Sequence, residues 1–166
     1  MFSWITDELA VGGHVPGTRI AELVQEHRIS AVVDLRDEAR DDVHLLRRHG
    51  IAFLHLPTPD VHGAPLPMLV DGVTFVRLHL AVGDRVLIHC QHGIGRAPLL
   101  ALCVLVDRGM PPLAALALTK DRRTEVSPSP AQFEAWARWL RHAGHPVPHF
   151  DELAAIAYRP LNAGLR

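Results

Sequence analysis

The stretch Val86-Leu87-Ile88-His89-Cys90-Gln91-His92-Gly93-Ile94-Gly95-Arg96-Ala97-Pro98 constrains this chain more than any other. Val86 to Ile88 is short, apolar and β-branched at both ends, which fits a buried strand. From Leu99 to Asp107 the chain is apolar again and long enough for a buried helix. Between the two lie one cysteine, two glycines and one arginine. A strand that turns through glycines into a helix N-terminus makes an anion cradle: loop N–H groups turn inward, and the helix dipole favours negative charge there. Gly93 and Gly95 allow backbone conformations that a Cβ resists.

Cys90 sits at the floor of such a cradle. Inward N–H groups and a nearby cation favour thiolate over thiol, and the thiolate is the form that attacks phosphorus. Arg96 lies at the start of the helix, from where its planar fork can grip two phosphate oxygens at once.

His89-Cys90-Gln91-His92-Gly93-Ile94-Gly95-Arg96 resembles the His-Cys-x-x-Gly-x-x-Arg signature of the cysteine-dependent protein tyrosine and dual-specificity phosphatases. The plainer alternative is a structural glycine turn that happens to hold Cys and Arg. The resemblance implies a nucleophile at Cys90 and a phosphate grip made by Arg96 with the amides of Gln91, His92, Gly93, Ile94 and Gly95. It implies a loop-orienting hydrogen bond from His89. The chain departs from the family after the arginine, where a Ser or Thr is usual and Ala97 stands here. The missing hydroxyl bears on how fast the cysteine leaves in the second step, not on its role as nucleophile.

At 166 residues the chain is expected to be one domain, with a catalytic part over 1–143 and a C-terminal extension over 144–166. A net charge of −1 gives no broad field for polyanions, so no nucleic-acid partner is expected. Lys120 is the single lysine among 17 cationic side chains. Two cysteines do not make a disulfide framework. No signal peptide or membrane-length apolar run is seen, and a cytoplasmic location is expected.

In chain order, Phe2–Thr6 and Leu9–Val11 read as an edge hairpin. The phrase Ile5 to Gly13 resembles the opening of small dual-specificity phosphatases. Thr18–His27 reads as a helix and Ala31–Leu35 as a strand. Glu38–His49 reads as a helix stopped by Gly50. Arg36 and Arg40, at the end of that strand, either face the phosphate pocket or belong to a salt-bridged turn with Asp37, Glu38, Asp41 and Asp42; the turn is preferred. Ala52–Leu56 reads as a third, central strand. Pro57 to Pro65 holds three prolines and a glycine around Asp60, a semi-rigid loop. A phosphate ester's leaving oxygen needs a proton. Asp60 resembles the family's general acid; His62, then Asp71 and Asp84, are the competing candidates.

Helices are expected over Pro67–Val82, Arg96–Arg108, from Pro111 to Leu118 or Thr119, over Ala131–His142 and over Phe150–Tyr158, with Phe133, Trp136 and Leu140 facing inward. Cys103 reads as a core residue rather than a redox partner of Cys90. Arg122-Arg123 and the following proline turn resemble the same family. Gln132 is either a water-orienting glutamine, as in some members, or a solvent-facing one. His142, His145 and His149 match no metal-ligand spacing and read as surface residues.

The alternation of strands and helices predicts an α/β fold with a mostly parallel central sheet and helices on both faces. The expected function is metal-free, cofactor-free hydrolysis of a phosphate monoester on a phosphorylated protein or a small ester, with Cys90, Arg96 and Asp60 as the catalytic set. No membrane partner is expected. Two alternatives stand beside it: a phosphate-binding pseudophosphatase, favoured by Ala97, and a sulfur transferase with a cysteine loop.

Overall fold

The computed structural model describes residues 1–160. Five strands form one sheet in the order β1-β2-β5-β3-β4: β1 (Phe2–Trp4), β2 (Leu9–Gly12), β3 (Ile29–Arg36), β4 (Ala52–Thr58) and β5 (Arg85–His89). Only β1 runs antiparallel to its neighbour; β2, β5, β3 and β4 are parallel. The helices are α1 (Ile20–Gln25), α2 (Val43–Arg48), α3 (Leu66–Ala81), α4 (Arg96–Asp107), α5 (Pro112–Arg122), α6 (Pro130–His142) and α7 (Phe150–Ala157).

Side chains alternate across a strand, and the alternation divides the interior in two. Val86, Ile88 and Cys90 join Ala31, Val33 and Leu35 in a large core under α4. Leu87 and Val32 point the other way, into a smaller core with Ile20, Leu23, Leu46 and Ile51. The period therefore sends Cys90 to the α4 face and His89 to the face of α1 and α2. Helix α4 buries every residue from Arg96 to Val106, so the arginine at its first turn is anchored on all sides. Leu153 and Ala157 of α7 are buried in the same large core.

Three expectations about elements are corrected. The helix read over Glu38–His49 begins only at Val43, because Asp42 Oδ1 accepts from the N–H groups of His44 and Leu45 and caps it there. Residues 37–41 are thereby released as a loop. β4 is an edge strand, not a central one, which is why it runs on through Pro57 to Thr58. The helix read over Thr18–His27 splits into a 3₁₀ turn at Gly17–Arg19 and α1. Residues 161–166, the end of the expected extension, lie outside the described residues. No described helix is long and apolar enough to cross a membrane.

Candidate active site

The backbone between β5 and α4 can be accounted for group by group. The carbonyls of Gln91 to Ile94 are held from outside the loop: Gln91 O by the N–H of His14 at 3.0 Å, Ile94 O by that of Ser127 at 2.8 Å, and His92 O and Gly93 O by the buried guanidinium of Arg123, each at 2.9 Å. With the carbonyls turned out, the N–H groups turn in. Gly93 N–H donates to Cys90 Sγ at 3.3 Å, and the amides of Gln91, His92, Ile94 and Gly95 donate to no protein acceptor among the described residues. Gly93 has φ +68°, and a Cβ there would come within 2.5 Å of the Gly12 carbonyl carbon, so only glycine fits.

Arg96 has five N–H groups. Glu38 takes one from each Nη, at 2.7 and 2.8 Å, and the Thr58 carbonyl takes the second from Nη1 at 2.9 Å. Nε–H and one Nη2–H remain, and they lie along the same edge of the fork. Nε is buried without a hydrogen-bond partner. An orphaned cationic donor in a buried site is costly unless an anion meets it. The pairing holds Glu38 well below the usual carboxylate range, at about 2, chiefly through its hydrogen bonds to Arg96, and raises Arg96 in turn.

A cavity of about 180 Å³ opens over Cys90, with Arg96 and Gly95 in its floor and Asp60, Val61 and Gln132 in its walls. Asp60 Oδ1 stands 3.5 Å from Arg96 Nε, on the open edge of the fork, and its side chain is 67% exposed. The next residue, Val61, has φ +59°, a strained conformation for a β-branched side chain. Ser129 Oγ holds it there by donating to the Val61 carbonyl at 2.6 Å. Ser129 also caps α6: its Oγ accepts from Gln132 N–H while Gln132 Oε1 accepts from Ser129 N–H. Gln132 is buried and lies directly over Gly95, where a Cβ would sit 2.3 Å from Oε1. The solvent-facing alternative for Gln132 is thus excluded. Its Nε2 donates to no protein group among the described residues.

Behind the loop lies a buried charge cluster. Arg36 donates to both oxygens of Asp34 at 3.1 and 3.0 Å, to Asp41 Oδ1 at 3.1 Å, and to Gln91 Oε1 at 3.3 Å. His89 has Nε2 at 2.6 Å from Asp41 Oδ2 and Nδ1 at 3.1 Å from the Cys90 carbonyl. Burial opposes charge on His89, but the hydrogen bond and charge of Asp41 outweigh it, and its pKa is raised. Ligating atoms of Asp34, Asp41 and His89 lie within 4.8 Å of one another, yet their oxygens are already spent on Arg36 and His89.

The structure thus brings Cys90, the loop amides, Arg96, Asp60 and Gln132 around one cavity and puts His89 beneath it. Neither Arg36 nor Arg40 lines the cavity; of the expected turn only the Arg36–Asp41 pair forms, with Arg36 also bound to Asp34, while Glu38 pairs with Arg96 and Asp42 caps α2. His62 turns Nδ1 to the Asp60 carbonyl at 2.8 Å and does not line the cavity. Asp71 is exposed on α3, and Asp84 pairs with His79 at 2.7 Å. Sequence reasoning missed Glu38, Asp41 and the Thr58 carbonyl. The signal for the acids was the run from Asp37 to Asp42 at the carboxyl end of β3, where sites gather in parallel sheets.

A parallel sheet with a cysteine–glycine–arginine loop at a strand's carboxyl end defines the cysteine-dependent tyrosine and dual-specificity phosphatase class. Within it, residues 14–141 match the dual specificity phosphatase catalytic domain, and the chain belongs to that family. Among curated proteins it is similar to phosphatidylglycerophosphate phosphatase PTPMT1 of Arabidopsis thaliana, 26% identical over 132 residues, which cover 77% of this chain. The match spans only 39% of that relative's length. Among solved structures, PTPMT1 superposes with a TM-score of 0.79 at 21% identity over 86% of this chain and 95% of its own. Tk-PTP in its active form gives 0.77 at 22% over 84% and 96%, and human DUSP28 gives 0.73 at 17% over 86% and 94%.

Proposed function

We propose that this chain hydrolyses phosphate monoesters on phosphorylated protein side chains through a phosphocysteine intermediate. The observation that carries the reading is the open edge of Arg96: a buried Nε–H that makes no hydrogen bond, with only the exposed Asp60 carboxylate near it at 3.5 Å, on the same cavity as Cys90 Sγ. In the first step Cys90 attacks phosphorus in line and the P–O bond to the leaving group breaks. Asp60 gives that oxygen its proton. Arg96 and the loop amides hold the three equatorial oxygens, where charge concentrates. In the second step Asp60 takes a proton from water, Gln132 Nε2 positions that water, and the thiolate leaves. The positive field comes from guanidinium and amides.

Two exposed apolar side chains, Val61 and Ile94, rim the cavity, and Arg96 is its one lining arginine or lysine among the described residues. Such a mouth suits a single phosphate on an uncharged apolar stem, and phosphotyrosine is the phosphorylated protein side chain with the largest stem of that kind. A second reading, a phosphorylated lipid headgroup, is favoured by the same apolar rim and by the relative named a phosphatidylglycerophosphate phosphatase.

The test is hydrolysis of a phosphotyrosine peptide and of phosphatidylglycerophosphate in mixed micelles, both with chelator present. Turnover of the peptide with at least tenfold higher kcat/KM supports the protein reading; the reverse order gives the lipid one. Cys90→Ser removes turnover while vanadate still binds. Turnover that survives in Cys90→Ser, or sulfur transfer from thiosulfate in the wild type, overturns the mechanism.

A further inference from the structure

Helix α7 follows the residues that match the family, and its C-cap, Tyr158, reaches back toward the cavity. Leu153 and Ala157 pack α7 into the large core, and Arg159 pairs with Asp121 of α5, so the helix has its own anchors. They present Tyr158 to the turn before α6. Its ring stands edge-on to Phe133, 6.1 Å between centroids, and its Oη donates to the Pro128 carbonyl at 2.6 Å. Pro128 is buried, and its two neighbours, Ser127 and Ser129, line the cavity.

The bonds of that turn run to the groups that do the chemistry. Ser127 N–H donates to the Ile94 carbonyl at 2.8 Å, and Ser129 Oγ donates to the Val61 carbonyl at 2.6 Å. The Pro128 carbonyl and the Ser129 N–H belong to one planar peptide unit. Tyr158 holds the oxygen end of that plane, and Gln132 Oε1 accepts from the other end at 2.8 Å. Rotating the plane breaks one bond or the other. Proline has no N–H, so its carbonyl is the one backbone handle by which residue 128 can be held. The plane in turn orients Ser129, the residue that clamps the loop of Asp60.

We propose that Tyr158 is a positioning residue for the acid loop: by holding the peptide between Pro128 and Ser129, it fixes Ser129 against Val61 and so keeps Asp60 over the leaving oxygen. Tyr158 does not line the cavity and touches no reacting atom. The proposal rests on Asp60 being the general acid, and the experiment separates the two.

Tyr158→Phe in the full chain removes one hydroxyl and keeps the ring, whose packing against Phe133 and Phe150 needs no oxygen. With a hydrogen bond of this kind lost, kcat/KM for an alkyl phosphate is expected to fall about three- to tenfold. For nitrophenyl phosphate, whose leaving group needs little protonation, the fall is expected to stay below about twofold. In an Asp60→Asn background the same substitution is expected to change neither substrate further, because the group it positions is already gone. Equal losses for both substrates in Tyr158→Phe, an unchanged alkyl phosphate rate, or the same alkyl phosphate loss repeated in the Asp60→Asn background each overturn the proposal. An Asp60→Asn enzyme that does not discriminate between the two substrates removes Asp60 as acid, and overturns the proposal together with the reading beneath it. Tyr158 is the chain's one tyrosine, so its phenol is read directly by ultraviolet titration of the wild type. Held against the Pro128 carbonyl and partly buried, it is expected to ionise above a free tyrosine. A phenol that ionises as a free tyrosine does overturns the proposal, even where Tyr158→Phe does not fold.

Discussion

Glu38→Gln tests the geometry of the phosphate grip. The carboxylate occupies the end of the Arg96 fork with two charge-assisted hydrogen bonds and leaves the side edge free for phosphate. Glutamine keeps one acceptor, loses the second and loses the charge. A fall of the Glu38 pKa to about 2, taken at face value, corresponds to roughly 3 kcal/mol of coupling. The Glu38 side chain is 45% exposed, however, and water screens such a pair, so about 1 kcal/mol is what survives. Expressed as lost orientation of Arg96 in the transition state, that is a five- to tenfold fall in kcat/KM, on the order of 1–1.4 kcal/mol. The sign of the pH dependence is fixed as well. A carboxylate with a depressed pKa contributes fully above its unfolded value near 4.5 and is lost only as pH falls through about 2. The ratio of wild type to variant is therefore expected to be flat from about pH 5 to 8. The assay is kcat/KM for an aryl phosphate with chelator, with thermal melting run beside it. A variant within twofold of wild type, a ratio that varies across that range, or a gain in vanadate affinity would refute the reasoning, the last by showing that Glu38 competes with phosphate instead of aiming the fork.

Asp60→Asn is expected to cut turnover of alkyl phosphates strongly and of nitrophenyl phosphate much less, because only the poor leaving group needs the proton; equal losses in steady-state assays would remove Asp60 as acid. Ala97 is fully buried in the first turn of α4, and Ala97→Ser is expected to raise kcat by on the order of tenfold and shrink the stopped-flow burst with an activated substrate, leaving kcat/KM nearly unchanged, since a hydroxyl stabilises the departing thiolate. An unaltered kcat in a wild type without a burst would show that the hydroxyl has no role. Val61→Asn is expected to raise Tm by about 2–4 °C, because asparagine tolerates the left-handed backbone at φ +59° and the exposed valine gives up little packing; a lower Tm would mean that the loop is not strained there.

What the sequence made legible is what is local. Strand, glycine loop and helix are contiguous between Val86 and Asp107, so their order alone places Cys90 and Arg96 together. The Asp60 loop announces itself through its prolines. The supports were hidden because their partners are far along the chain: Glu38 lies 58 residues from Arg96 and Asp41 48 residues from His89. A helical period fitted to Glu38–His49 absorbed both acids, and only the Asp42 cap, a single side chain, shows that the helix starts later. Arg36 and Arg40 are the residues of this stretch that suggest a phosphate contact, while what it delivers to the catalytic loop is carboxylate. The sequence alone does not show which way Gln132 faces, because its burial depends on how α6 lies over Gly95, a tertiary fact with no periodic trace.

The division of the site between two faces follows from the strand itself. Neighbouring residues on β5 must point to opposite sides, so the residue before the nucleophile cannot share its cavity. The groups placed there are shielded from substrate by the sheet and sit in a low-dielectric setting where their hydrogen bonds and charges act most strongly. The acids that hold His89 are set by β3, whose Asp34 stands opposite it in the parallel register and therefore faces the same side. This arrangement separates two kinds of tolerance. Val61 and Ile94, at the rim, touch only what binds, and changing them alters which ester is accepted. Asp34, Arg36 and Asp41 touch no ligand, yet removing one leaves an uncompensated buried charge beside the loop. Substitutions behind the sheet are for that reason expected to be the more damaging to catalysis, although every one of them lies outside the cavity.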